Sequence, residues 1–112
     1  MAKAIQMVNN LANTIIDTVQ PIFVAPPEMN VRIEAFTAAN TSIVDASYKA
    51  YITTPSGEQQ PQQPFKIVVW GDNDLGIGLI NQVIPAGGSL SVESSALASI
   101  YFTVSGIELS SN

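Results

Sequence analysis

"VIPAGGSLSV", residues 83–92, is written in the same order as an earlier stretch, "VAPPEMNVRI" at 24–33. Each opens on Val, any residue and Pro, and restarts after four more residues with an aliphatic residue, a spacer and a β-branched residue. Pro26 matches Pro85, Val31 matches Leu90, and Ile33 matches Val92. Proline has no N–H to give to a ladder, so it sits where a strand stops. Gly87 and Gly88 can take positive φ at no steric cost, which lets the chain reverse. Alternation then resumes with Leu90 and Val92. Each copy therefore reads as strand end, corner, next strand. One corner lies near the start of the chain and one near its end, so strands from both halves are expected to share one end of a two-layer β structure.

Working outward from the corners, the signal stays β. "PIFV" (21–24) is a short apolar run that ends at Pro26-Pro27. "NVRIEAFTA" (30–38) alternates, with Val31, Ile33 and Ala35 on one face and Arg32, Glu34 and Phe36 on the other. "ANTS" is a turn, because Asn and Ser side chains bond the backbone locally. "ASYKAYITT" (46–54) alternates again. "PSGEQQPQQP" (55–64) holds three Pro and four Gln and reads as an exposed loop of polyproline character. "FKIVVW" (65–70) is a strand and "GDND" (71–74) a turn. "LGIGLINQVI" (75–84) reads as a strand in which Gly76 and Gly78 mark a bulge or a close backbone approach. "SLSVES" (89–94) and "SIYFTVSGIEL" (99–109) complete the set. Seven or eight short strands separated by turn chemistry predict an all-β, antiparallel β-sandwich of jelly-roll type. No helix-length pattern lies between strands, which argues against α/β.

The first twenty residues are less regular. Ile5, Val8, Leu11, Ala12, Ile15, Ile16 and Val19 recur at three and four, a helical spacing. Asn9, Asn10, Asn13, Thr14 and Thr18 are mediocre helix formers, and no capping box opens the segment. The expectation is an N-terminal arm over 1–13 and a sandwich domain over 14–112 that begins with a strand at 14–19; a single helix is the alternative. The arm is too apolar for a free tail. It either packs on its own domain or adds to a neighbour's sheet edge.

Composition narrows the function. The chain has 112 residues, enough for one domain with a real core. Only 12% of residues are charged, about half of what is usual, so much of the surface is neutral or is covered by neighbouring subunits. Lys3, Arg32, Lys49 and Lys66 are scattered and the net charge is −5, which makes nucleic acid and anionic membranes poor partners. There is no Cys and no His, so thiol chemistry, disulfides and the commonest general base and metal ligand are excluded. No apolar run reaches the length of a membrane span, and the N-terminus lacks the apolar core of a secretory signal.

The remaining constellations are modest. Asp72 and Asp74 flank Asn73 with an oxygen spacing used by calcium loops, but the loop's Gly and distant Glu are absent, and turn chemistry explains them more simply. Glu34, Glu58, Glu93 and Glu108 are spread along the chain, so no carboxylate pair is brought together for acid–base work. The serines of "SVESSALAS" have no base beside them. No enzyme activity and no cofactor is expected. Trp70, with Tyr48, Tyr51 and Tyr101, suits either a core or interface role or a platform for a sugar. The candidate partner-interface residues are Ile5, Val8, Leu11, Ile15, Ile16 and Trp70.

"FVAPPEMNVRIEAFTAANTS", "ASYKAYI", "VIPAGGSLSV" and the closing "SIYFTVSGIEL" together resemble small structural proteins of tailed bacteriophages. The resemblance spans about residues 14–109 and omits the arm and the Gln-Pro stretch. It implies a β-sandwich subunit present in many copies in a virion assembled in the bacterial cytoplasm. The group includes head decoration (cement) proteins and neck or tail components. The partners it implies are further copies of the chain, as a trimer or similar small oligomer, and the major capsid protein or other virion proteins.

Overall fold

The computed structural model describes residues 3–12, 16–96 and 99–110. Strands β1 (Lys3–Ala12), β2 (Gln20–Val24), β3 (Met29–Asn40), β4 (Ala46–Thr53), β5 (Gln59–Val68), β6 (Asn73–Asp74), β7 (Val83–Ile84), β8 (Ser89–Ser94) and β9 (Ile100–Ser110) follow one another, with one 3-10 turn at Ile77–Leu79. They form two antiparallel sheets. One runs β1-β9-β3, with β6 and β7 sharing the far edge of β3; the other runs β2-β8-β4-β5. The all-β antiparallel sandwich expected from the sequence is therefore observed. Among the described residues nine strands replace the expected seven or eight, because two short ones, β6 and β7, occupy a single place in their sheet.

The pairing is nested. β1 pairs with β9, β2 with β8, β3 with β6 and β7, and β4 with β5. The chain is thus one long hairpin rolled so that successive paired segments fall in alternate sheets, which is the arrangement of a jelly roll. This explains the repeated phrase. When a two-stranded ribbon crosses between sheets, both of its strands must bend at the same place. Residues 25–28 carry the chain from β2 to β3, and residues 85–88 carry it back from β7 to β8. The two corners lie side by side and continue the ladder: Ala25 N–H donates to Gly88 O (2.8 Å) and Gly87 N–H to Pro26 O (3.1 Å). Asn30 Oδ1 accepts from Ala86 N–H (2.9 Å) and ties the two copies together again.

The core lies between the sheets. Phe36, Tyr48 and Phe102 meet at its centre with ring centroids 5.6–5.9 Å apart. Val31, Ile33, Leu90, Val92 and Ile100, all fully buried, extend it. Truncating one of the central rings would cost about 3–5 kcal/mol, a large share of what stabilises a domain this size.

Several local expectations are corrected. The alternation of β3 changes phase at a bulge between Ile33 and Ala35, so Phe36 faces the core and Ala35 faces out. Residues 1–13 were expected as an arm; Lys3–Ala12 instead form an edge strand whose Met7 and Val8 are buried against the same domain. The strand expected over 14–19 is, in its described part, a single bridge from Ile16 to Ser94 followed by a turn, with Asp17 at φ 52°. The supposed Gln-Pro loop is a strand from Gln59 onward. It tolerates Pro61 and Pro64 because β5 is an edge and pairs only with β4. Residues 75–84 are not one strand. They arch over the flank between the sheets and bury Leu79. The glycines do mark close approach: a Cβ on Gly76 would collide with the Phe36 ring, and one on Gly78 with Gln62 O.

Candidate functional site

β3, β5 and β8 set the two ends of the sandwich. One end carries the proline corners. The other carries residues 16–19, 41–45, 69–72, 95–96 and 99, which lie in the four connections between strands there, and here apolar side chains face solvent. Ile43 is 87% exposed, Trp70 59% and Val44 57%. Val69 is half exposed, and Phe65 and Ile67 extend the apolar surface along the outer side of β5. Large apolar groups are scattered singly on most surfaces; a contiguous group is informative.

The backbone beneath them is firmly held. Asn40, the last residue of β3, is buried, and its side chain satisfies three groups at once. Its Nδ2 donates to Val44 O and Val68 O, both at 2.9 Å, and its Oδ1 accepts from Ser42 N–H at 2.9 Å. The Ser42 hydroxyl lies 2.7 Å from that same oxygen. Trp70 N–H donates to Asp45 Oδ1 (3.1 Å), Gly71 N–H to Asn40 O (3.0 Å), and Asn40 N–H to Asp72 O (2.9 Å). The 41–45 and 69–72 connections are thereby fastened to each other, and Ile43, Val44 and Trp70 project from a preorganised frame. Preorganisation lowers the ordering entropy lost on binding.

The connections at this end carry charge of one sign, and the lysines beside them each face a carboxylate. The four connections contain Asp17, Asp45 and Asp72 and no Lys or Arg. Lys66 lies 3.8 Å from Asp74, and Lys49 stands opposite Glu93 in the β4–β8 register. Asp74 is engaged inside the structure: it accepts from the Tyr48 hydroxyl (2.5 Å) and from Gly76 N–H (3.1 Å), linking the two sheets. Burial, and then the Asp74 carboxylate, push the Tyr48 phenol well above its usual range. Among the described residues no three of His, Cys, Asp and Glu are grouped to hold a metal ion.

The structure separates the residues singled out from the sequence. Val8 is in the core, and Ile5 packs against it half-buried. Leu11 and Ile16 are both partly exposed and lie at the same end as Trp70, since Leu11 pairs with Phe102 and Ile16 with Ser94. Ile15 lies outside the described residues. Sequence reasoning missed Ile43 and Val44. The available signal was an apolar pair inside a turn, "TSIVD", where local chemistry asks for polar residues.

No family model matches the chain, and no curated protein matches it. Among solved structures it is similar to a chain in the structure of the Gx strain of infectious bursal disease virus, with a TM-score of 0.59 at 13% identity. The match covers 100% of this chain and 32% of that one, so the chain spans about a third of the length of its structural neighbour. At this identity the likeness is one of fold: both share the same kind of sandwich.

Proposed function

We propose that this chain is a structural protein of a virus particle, and specifically a head decoration protein of a tailed bacteriophage. It works as a small symmetric oligomer, a trimer, seated over junctions between major capsid subunits. The observation that carries this reading is the rigid apolar end built on Asn40, with Ile43, Val44 and Trp70 facing solvent. Burying such a surface across a subunit boundary raises the free energy needed to pull the subunits apart. The low charge, the sequence resemblance and the fold shared with a chain of a virus structure support the same reading. Jelly rolls recur in capsid and lectin domains, a fold-level analogy and no more.

Purified protein added to heads assembled without it should occupy them to a fixed stoichiometry and raise their resistance to heat. Heads that take up none of it would refute the reading. A deletion of residues 1–13 is a poor test, because it removes an edge strand together with buried Met7 and Val8. The exposure of Trp70 favours a second reading, a receptor- or glycan-binding module at a tail tip, or another neck or tail component. Under that reading Trp70→Ala abolishes adsorption to host cells and leaves particle assembly intact.

A further inference from the structure

We infer that the end opposite the proline corners docks end-on into an apolar cleft ringed by lysine or arginine on a different protein. A second copy of this chain does not occupy it. The inference rests on the structural role proposed above and names the partner surface for it.

Two observations select this occupant. The first is charge. Ile43, Val44 and Trp70 share their connections with Asp45 and Asp72, and the connection before β2 adds Asp17; these connections hold no basic residue, while Lys49, beside Asp17, stands opposite Glu93 in the β4–β8 register. Asp17, Asp45 and Asp72 are exposed. Two such ends brought together would set three carboxylates against three, and like charges meeting across an interface are unfavourable. A cationic rim turns the same carboxylates into steering groups, and an anionic membrane is disfavoured for the reason that a second copy is. The second observation is area. The molecule measures 46 × 26 × 20 Å, and a twelve-residue strand such as β3, about 40 Å long at roughly 3.3 Å per residue, fits only along the long axis, so the end presents a face of 26 × 20 Å. That is on the order of 500 Å², short of the roughly 800 Å² per partner of a standard two-body interface between flat faces. A protruding tip gains more contact by entering a cleft, whose walls also reach Phe65, Ile67 and Val69 on the flank.

The test uses the full chain and purified particles assembled without it, with binding measured from about 50 to 500 mM NaCl, a range over which exposed charge pairs are progressively screened. Wild-type protein should bind more weakly as salt rises. Ile43→Ser should lower affinity by about tenfold or more, the loss expected of an anchor residue. Asp45→Asn with Asp72→Asn, which keep an oxygen acceptor for Trp70 N–H and Asn73 N–H, should bind more weakly at low salt and lose most of the salt dependence. Glu28→Gln, at the proline corner, should bind like wild type.

No binding of wild-type protein at any salt overturns both this inference and the proposed role. Wild-type binding that Ile43→Ser and the double Asp variant leave unchanged overturns the inference alone, because another face then makes the contact. So does binding that strengthens with salt. So does a wild-type dimer in solution that Ile43→Ser abolishes.

Discussion

The two ends of the sandwich solve the same geometric problem with different chemistry. At each end the rolled hairpin must pass from one sheet to the other. At the proline end it does so in four residues per strand, with Ala25 and Gly88 buried and the two corners bonded to each other. Nothing large and apolar is left over in the corner residues themselves. At the other end the connections 41–45 and 69–72 are of similar length, and their hydrogen bonds are organised around one buried side chain, Asn40. There the apolar groups Ile43, Val44 and Trp70 are held outward. The large apolar side chains that the proline end leaves in solvent sit on the strand ends, Val24 (63% exposed) and Val83 (43%), and not on the corners. A corner that keeps apolar groups in solvent on a rigid frame has a use for them outside the chain.

The largest effect should come from the proline end. A Cβ on Gly88 would lie 2.6 Å from Thr53 O, a backbone atom with no freedom to retreat, so Gly88→Ala should destabilise by about 3 kcal/mol or prevent folding. Gly57 makes the contrast: its φ is 97°, but nothing lies within 4 Å of its Cβ position, so Gly57→Ala should cost about 1 kcal/mol. Thermal unfolding of the pair separates lack of space from backbone strain. Equal losses would mean that the corner is not tightly packed.

The next effect belongs to the other end. Asn40→Ala strands Val68 O and Ser42 N–H and leaves Val44 O with the Ser42 hydroxyl alone, and should lower stability by about 2 kcal/mol. It should also speed amide exchange in residues 41–45 and 69–72 while leaving residues 25–28 and 85–88 protected. Faster exchange at both ends alike would show that the ends are not independent.

The smallest effect concerns the link between the sheets. The Tyr48 phenol is raised in the folded state, so the folded protein holds that proton more tightly than the unfolded chain does. The stabilisation is complete below the ordinary phenol value near pH 10 and is lost as pH rises above it, by about 1.4 kcal/mol per pH unit for one proton. Tyr48→Phe should cost about 1 kcal/mol at neutral pH and flatten this alkaline slope, as read from denaturant midpoints between pH 8 and 11. An unchanged slope would show that another group controls it.

Much of the fold was legible because period-two alternation and corner chemistry are local signals. Tyr48, Ala50 and Ile52 in β4, and Leu90 and Val92 in β8, point inward as their spacing requires. The bulge at Glu34 was not legible, since one extra residue leaves the local pattern plausible in either phase. The strand at Gln59–Pro64 was hidden because its composition suits a loop, and only its place at a sheet edge makes prolines acceptable. The arch over 75–82 was hidden for the opposite reason: its apolar residues look like a strand, while Gly76 and Gly78 answer to Phe36 and Gln62, far away in sequence. At the candidate site Trp70 could be read and the Ile43–Val44 pair could have been. The role of Asn40 could not, because its partner Val68 is 28 residues away.

An electron-microscopy map of a particle assembled with this protein tests the division between the two ends most directly. It should show Ile43, Val44 and Trp70 buried against another protein and the Pro26 and Pro85 corners facing solvent. A map with the proline corners at the contact and Trp70 in open solvent would contradict it.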